Sequence, residues 1–221
     1  MRYGSALLAF ACMLTLAPAG ARAQEITLGV KGGLNFSNLS VDDPADPDFD
    51  FDSQTDFLAG AFAQFGFGRI FAVQPEVLYS QRGAKSRNED PATKLDLDYV
   101  EIPLLLMVRL ASRESPMYPI LYAGPSVAFE TRCRVSGEEG GVSVSLDCDD
   151  PQLDGAFETT KTNFGLVFGG GFEILFSRLT IQLDVRYNLG LTNLNDAEDA
   201  EQVSVKSRAW SFMLGLGMPI G

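Results

Sequence analysis

Leu179-Thr180-Ile181-Gln182-Leu183-Asp184-Val185-Arg186-Tyr187-Asn188-Leu189-Gly190-Leu191 alternates apolar and polar side chains without a break. A period of two is the signature of a strand with unlike faces, because successive side chains of an extended chain point to opposite sides. The apolar face of this stretch carries leucine, isoleucine, valine and tyrosine. The other face carries Gln182, Asp184, Arg186 and Asn188. A helix would scatter the same residues over its whole circumference. At thirteen residues the segment also has the length needed to cross a bilayer as a tilted strand, about 9–11 residues.

The same rhythm recurs along the chain. Ile26, Leu28, Val30 and Leu34 oppose Thr27, Gly29, Lys31 and Asn35, and Val100, Ile102, Leu104, Leu106 and Val108 oppose Tyr99, Glu101, Leu105, Met107 and Arg109. Further strands are expected at 57–67, 71–85, 120–132, 162–176 and 208–220, the first of these with a weaker pattern because alanine and phenylalanine occupy both faces. The gaps after the first, third, fifth and seventh strands are long, polar and acidic, and the others are short. All long loops therefore lie at one end, as in transmembrane barrels with short periplasmic turns and longer extracellular loops. The expected fold is all-β: a single closed antiparallel up-and-down transmembrane β-barrel of about eight strands, spanning residues 24–221. Phe67, Phe71 and Phe176 toward the short turns, and Tyr79, Phe129, Phe164, Tyr187 and Trp210 toward the loops, are placed to form interfacial girdles.

The chain begins Met1-Arg2-Tyr3, continues through an apolar run from Ala6 to Ala17 and reaches Ala21-Arg22-Ala23, the layout of a secretory signal peptide over 1–23. The run is about a dozen residues, short of the roughly 20 that a spanning helix needs. Cys12 lies within that run, which argues against a lipid anchor at its end. Export makes a disulfide permissible, and Cys133 and Cys148 are the two cysteines left after cleavage. Closing their loop of about 16 residues contributes roughly 3 kcal/mol in a chain-entropy account. The formal charge of −12 argues against nucleic acid as a partner.

Apolar faces turned to lipid leave the polar faces to fill the lumen. The residues so placed are Lys31, Arg82, Arg109, Arg132 and Arg186 with Glu76, Glu101, Glu130, Glu173 and Asp184. An eight-stranded interior is only wide enough for side chains, and an unpaired charge there costs several kcal/mol, so mutual pairing is expected. A hairpin around 86–96 predicts Arg82 beside Glu101 and Glu76 beside Arg109.

Catalytic chemistry is not expected. The chain contains no histidine, the usual general base of serine and cysteine triads. Carboxylate pairs of glycosidase type are equally explained by structural ion pairing. Gly169-Gly170-Gly171 lies within an alternating strand and lacks the Lys-Ser/Thr ending of a phosphate loop. No cofactor is implied. Seven aspartates and no basic residue lie between Ser37 and Asp56, and a second acidic tract runs from Asp196 to Glu201. Asp46, Asp48, Asp50 and Asp52 offer alternating oxygen ligands of the kind calcium takes, but the glycine that turns an EF-hand loop is missing, so a solvated loop is the favoured reading.

Gly29-Val30-Lys31-Gly32-Gly33-Leu34-Asn35, Gln74-Pro75-Glu76-Val77-Leu78-Tyr79-Ser80-Gln81-Arg82-Gly83-Ala84, Tyr99-Val100-Glu101-Ile102-Pro103-Leu104-Leu105, Tyr122-Ala123-Gly124-Pro125 and Asp184-Val185-Arg186-Tyr187 together resemble the small porin-like, PorT-like outer-membrane β-barrel proteins of Gram-negative bacteria. The resemblance covers essentially the whole mature chain. It implies the outer membrane as location, outer-membrane lipids as surroundings, and the barrel assembly machinery and periplasmic chaperones as partners, and it transfers no catalytic residue. One departure is that the chain ends Met218-Pro219-Ile220-Gly221, where such barrels commonly finish on an aromatic residue, so less efficient insertion is expected. Three functions compete. The first is a structural or surface-interaction barrel with a charge-plugged lumen, acidic extracellular loops and an unidentified surface partner. The second is a narrow porin-like channel for small solutes. The third is a periplasmic, lipocalin-like barrel with its apolar faces turned inward around a ligand.

Overall fold

A computed structural model describes residues 25–42, 51–68, 70–86, 94–110, 116–139, 142–148, 150, 161–192 and 204–220. The expected signal peptide, Asp46, Asp48, Asp50, the side chain of Asp52 and the tract 196–201 lie outside what is described. The strands are β1 (Glu25–Asp42), β2 (Phe51–Phe67), β3 (Phe71–Ser86), β4 (Lys94–Arg109), β5 (Met117–Glu139), β6 (Val142–Asp147), β7 (Thr162–Phe176), β8 (Leu179–Gly190) and β9 (Ser204–Pro219). They pair antiparallel in the order β4-β3-β2-β1-β9-β8-β7-β5-β6, and β4 also pairs with β5. That last pairing closes a barrel of eight strands and leaves β6 outside it. β6 pairs only with the far end of β5, Arg134 to Glu139, as a polar hairpin above the wall. Its Val142-Ser143-Val144-Ser145-Leu146-Asp147 alternates as the wall strands do, but six residues are too few to cross a bilayer as a tilted strand, and it is not among the eight expected strands. Cys133 and Cys148 are joined as expected, with Cα atoms 5.4 Å apart, and fasten this hairpin at its base.

β1, β2, β4, β5 and β9 reach further toward the long loops than the expected strands do. Backbone pairing has no need of an apolar face, so the hydrogen-bonded ladder continues past the level where lipid dictates side-chain choice. At the opposite end the connections are tight. Ser177 adopts φ 58° and Gly68 φ 67°, the left-handed conformation of short hairpin turns. The start of β1 and the residue after β9 meet there too, where the Ile220 amide donates to the Ile26 carbonyl at 2.7 Å.

Side-chain orientation follows the period-two reading. In β8, Thr180, Gln182, Asp184, Arg186 and Asn188 are buried inside, whereas Leu183 is 46% exposed on the outer wall. In β9, Trp210, Phe212, Leu214, Leu216, Met218 and Ile220 all face outward. At a rise of about 3.4 Å per residue and a tilt near 40°, that row makes an apolar band about 25 Å tall, the height of an outer-membrane barrel's lipid zone. An apolar outside with ion pairs within overturns the lipocalin-like alternative, which requires the reverse.

The register also carries an aromatic ring around the loop-side edge of the band. Phe57 lies 6.1 Å from Tyr79, Tyr187 lies 6.1 Å from Phe168 and 4.9 Å from Trp210, and Phe36 is paired with Trp210. Tyr79 faces Val100, Val100 faces Phe129, and Phe164 follows on β7, so β4 alone contributes an aliphatic residue to the circuit.

The alternation of β2 is weak because Leu58 and Phe62 point inward with Gln64. Phe62 is accommodated by its neighbours. A Cβ at Gly29 would stand 2.4 Å from the Phe62 ring, and one at Gly217 3.1 Å from it, so glycine on β1 and β9 makes the space that the ring fills. Gly169, in the triple-glycine stretch of β7, does the same for Tyr122, whose hydroxyl would lie 2.5 Å from an added Cβ.

Candidate functional site: the polar lumen

Eight strands leave an interior only wide enough for side chains, and the inward-facing polar side chains here are arranged in three tiers. At the short-turn end, Glu173 accepts hydrogen bonds from Gln64 (2.6 Å), Gln182 (2.7 Å) and Arg109 Nε (3.1 Å). Gln74 accepts from Gln64 and Gln182 and donates to Glu76 at 2.7 Å, which ties this tier to the next.

In the middle tier Lys31 donates to Glu76 at 2.8 Å and to Asp184 at 3.3 Å. Arg186 donates to both Glu76 oxygens, at 2.8 and 3.1 Å, and lies 3.8 Å from Asp184. Tyr122 donates to Asp184 at 2.7 Å. All five side chains are buried, Arg186 and Glu76 to within 1% of completeness. The bidentate fork of Arg186 is the geometry in which a charged hydrogen bond is strongest.

The loop-side tier is mostly uncharged. Asn35, Ser80, Ser211 and Asn188 form a chain of hydrogen bonds across the barrel. Above them Arg82 bonds Glu101 and reaches Ser207, and Ser126 donates to Glu101 at 3.1 Å. Beside the polar tiers, Ala72, Leu105, Met107, Tyr118, Ile120 and Val167 fill the β3-β4-β5-β7 side with apolar volume.

Four cations, Lys31, Arg82, Arg109 and Arg186, thus meet four anions, Glu76, Glu101, Glu173 and Asp184, all buried. Each cation also lies against a ring: Lys31 5.1 Å from Phe62, Arg82 5.6 Å from Tyr99, Arg109 5.6 Å from Tyr118 and Arg186 5.5 Å from Tyr122. Cation–π contact adds to the pairing where water is excluded.

Three expectations are corrected. Glu76 does not pair with Arg109. Arg109 lies opposite Ile70 in the β3–β4 register, six positions from Glu76, and turns to Glu173 instead. Glu101, by contrast, lies opposite Leu78, four positions from Arg82, within an arginine's reach along tilted strands. Arg132 is not in the lumen: its side chain is 60% exposed, 3.9 Å from Asp98. The cause is an irregularity in the β4–β5 register, where Asp98 faces Arg132 but Tyr99 faces Glu130, so that Thr131 is an extra residue and the alternation of β5 reverses. Glu130, next to this bulge, is only half-buried at the loop-side rim. Among the described residues no group of three His, Cys, Asp or Glu is close enough to hold a metal ion.

The expected set omitted Gln64, Gln74 and Tyr122. Gln74 and Tyr122 have the right parity on their strands, and following the alternation to uncharged positions finds them. Gln64 stands in the weakly alternating β2, where parity alone does not decide.

An apolar outer band, an aromatic ring and inward-facing polar side chains set this closed antiparallel barrel beside known ones. Among solved structures the chain is similar to the outer membrane protein OprG of Pseudomonas aeruginosa, at 12% identity and a TM-score of 0.54 over 90% of this chain and 98% of that one. It is also similar to neisserial surface protein A, at 17% identity and a TM-score of 0.45 over 85% and 95% of the two chains. At such identities the likeness is one of fold. No curated protein sequence matches the chain. A family model described as outer membrane protein beta-barrel domain matches residues 22–196. A match of that extent makes this chain a member of the outer membrane protein β-barrel domain family, located in the bacterial outer membrane.

Proposed function

We propose that the protein is a non-conducting, non-enzymatic barrel of the PorT-like kind, exported with loss of residues 1–23, that serves as a structural or surface-interaction protein through its acidic extracellular loops. The observation that carries this reading is the middle tier. Lys31, Glu76, Arg186 and Asp184 are buried and mutually bonded, and a solute in transit would have to separate these buried charges. The lack of any histidine supports the non-enzymatic part. Outer-membrane lipids, the assembly machinery and its chaperones are the partners this reading requires, with a surface partner met by the loops.

Conductance tests it. The purified barrel in a planar bilayer is expected to give a flat trace. Reproducible steps that change size in Arg82→Ala or Glu101→Gln would instead favour a narrow porin-like channel.

A further inference from the structure

Above the aromatic ring the wall contains a polar cavity of about 230 Å³ lined by Asp56, Arg82, Asp96, Asp98, Arg132 and Arg134. It lies beside the place where β2 and β3 part, between the Ser53–Ala84 and Leu58–Ser80 pairs. Gln54, 92% buried at this parting, holds Asp56 at 2.9 Å and Asp96 at 2.8 Å with one amide nitrogen. Tyr79 of the ring hydrogen-bonds Asp98, as does Gln81 at 3.2 Å, so the cavity begins where the lipid band ends.

Its lining has a definite chemistry. Three guanidinium groups face three carboxylates, for no net charge. The lining offers cations and anions together, which suits a ligand that carries both charges. Two atoms of the floor are buried with no hydrogen-bond partner among the described residues, the donor Arg82 Nε and the acceptor Asp56 Oδ2. Arg82 itself is 93% buried. At the rim, Arg132 and Arg134 are 60% and 44% exposed, and among the described residues their ion pairs are long, 3.9 Å to Asp98 and 3.7 Å to Asp147. Long, exposed pairs of this kind contribute little and yield to a better partner, and a guanidinium fork matches phosphate.

We propose that this cavity binds a phosphate–ammonium zwitterion, the chemistry of a phosphoethanolamine headgroup, with phosphate on Arg132 and Arg134 and ammonium toward Asp56 and Asp96. The volume is that of about eight waters at ~30 Å³ each. It admits a headgroup and excludes acyl chains, which have the outer wall below the ring to lie along.

The test uses the folded full-length barrel and its backbone amide NMR shifts. Soluble phosphoethanolamine is expected to shift the amides of 96–98 and 132–134 saturably, with inorganic phosphate alone and ethanolamine alone at least about tenfold weaker. Arg132→Ala and Asp96→Asn are each expected to weaken binding about tenfold, as loss of one member of a charged contact does. Arg132 is exposed enough that its removal leaves the barrel folded, which far-UV circular dichroism checks. The same amides shifting in nanodiscs of phosphatidylethanolamine, relative to phosphatidylglycerol, assign the site to a membrane lipid. A response to the soluble compound alone assigns it to a free zwitterion. Phosphate binding as tightly as phosphoethanolamine, indifference to both substitutions, or no saturable shift with any probe would overturn the proposal.

Discussion

Arg186→Met lowers the unfolding free energy of the barrel by about 3–5 kcal/mol, the cost of removing one partner from a buried ion pair. Arg186 is 1% exposed and supplies two of the hydrogen bonds that Glu76 accepts. Without it, Glu76 and Asp184 are left with Lys31 as their shared cation. Lys31 donates 2.8 Å to one and 3.3 Å to the other, so it cannot neutralise both, and the surplus negative charge stays enclosed. Adding Glu76→Gln restores the charge balance, and the double variant is expected to recover part of the loss. Urea titration of the barrel reconstituted in lipid vesicles measures both. A loss below about 1 kcal/mol for the single variant would mean that water reaches the middle tier and that the lumen is not closed.

Leu183→Arg is expected to cost about 2–4 kcal/mol in the same titration, the penalty for a cation on the lipid face at mid-bilayer. Leu183 is paired with Phe172 on one side and Leu214 on the other, each 43–49% exposed on the outer wall, so no carboxylate stands beside the new charge. Leu191→Arg, at the loop-side end of the same row, is expected to cost about 0–1 kcal/mol because it reaches the interface. Equal costs at the two positions would deny the depth assigned to them.

What the sequence discloses and what it conceals divide along physical lines. The orientation of β8, β1 and β4 is legible because one residue in two must satisfy hydrocarbon, and a one-residue slip would expose every member of the set. β2 is harder to read, because what turns Phe62 inward is the space left by Gly29 and Gly217 on neighbouring strands, a tertiary fact with no local pattern. The partners of Glu76 were hidden for a similar reason. Lys31 and Arg186 are 45 and 110 positions away on β1 and β8, and only closure of the barrel brings them across the lumen. Hairpin reasoning sees sequence neighbours alone, and so it found Arg82 with Glu101 but misassigned Arg109. The exit of Arg132 to the rim depends on a single extra residue, Thr131, and no spacing in β5 announces it. That bulge also helps form the cavity for which a headgroup is proposed, so the part of the molecule least readable from the chain is the part with an open polar site.

The alternating strands present their apolar side to lipid and their charged side to the barrel interior. Nitroxide labels placed singly from Thr180 to Asn188, in a barrel whose Cys133 and Cys148 are replaced by serine, measure this position by position through collision with oxygen dissolved in the bilayer. The predicted trace has maxima at Ile181, Leu183, Val185 and Tyr187 and minima at Gln182, Asp184 and Arg186. Maxima at Gln182, Asp184 and Arg186 would contradict it.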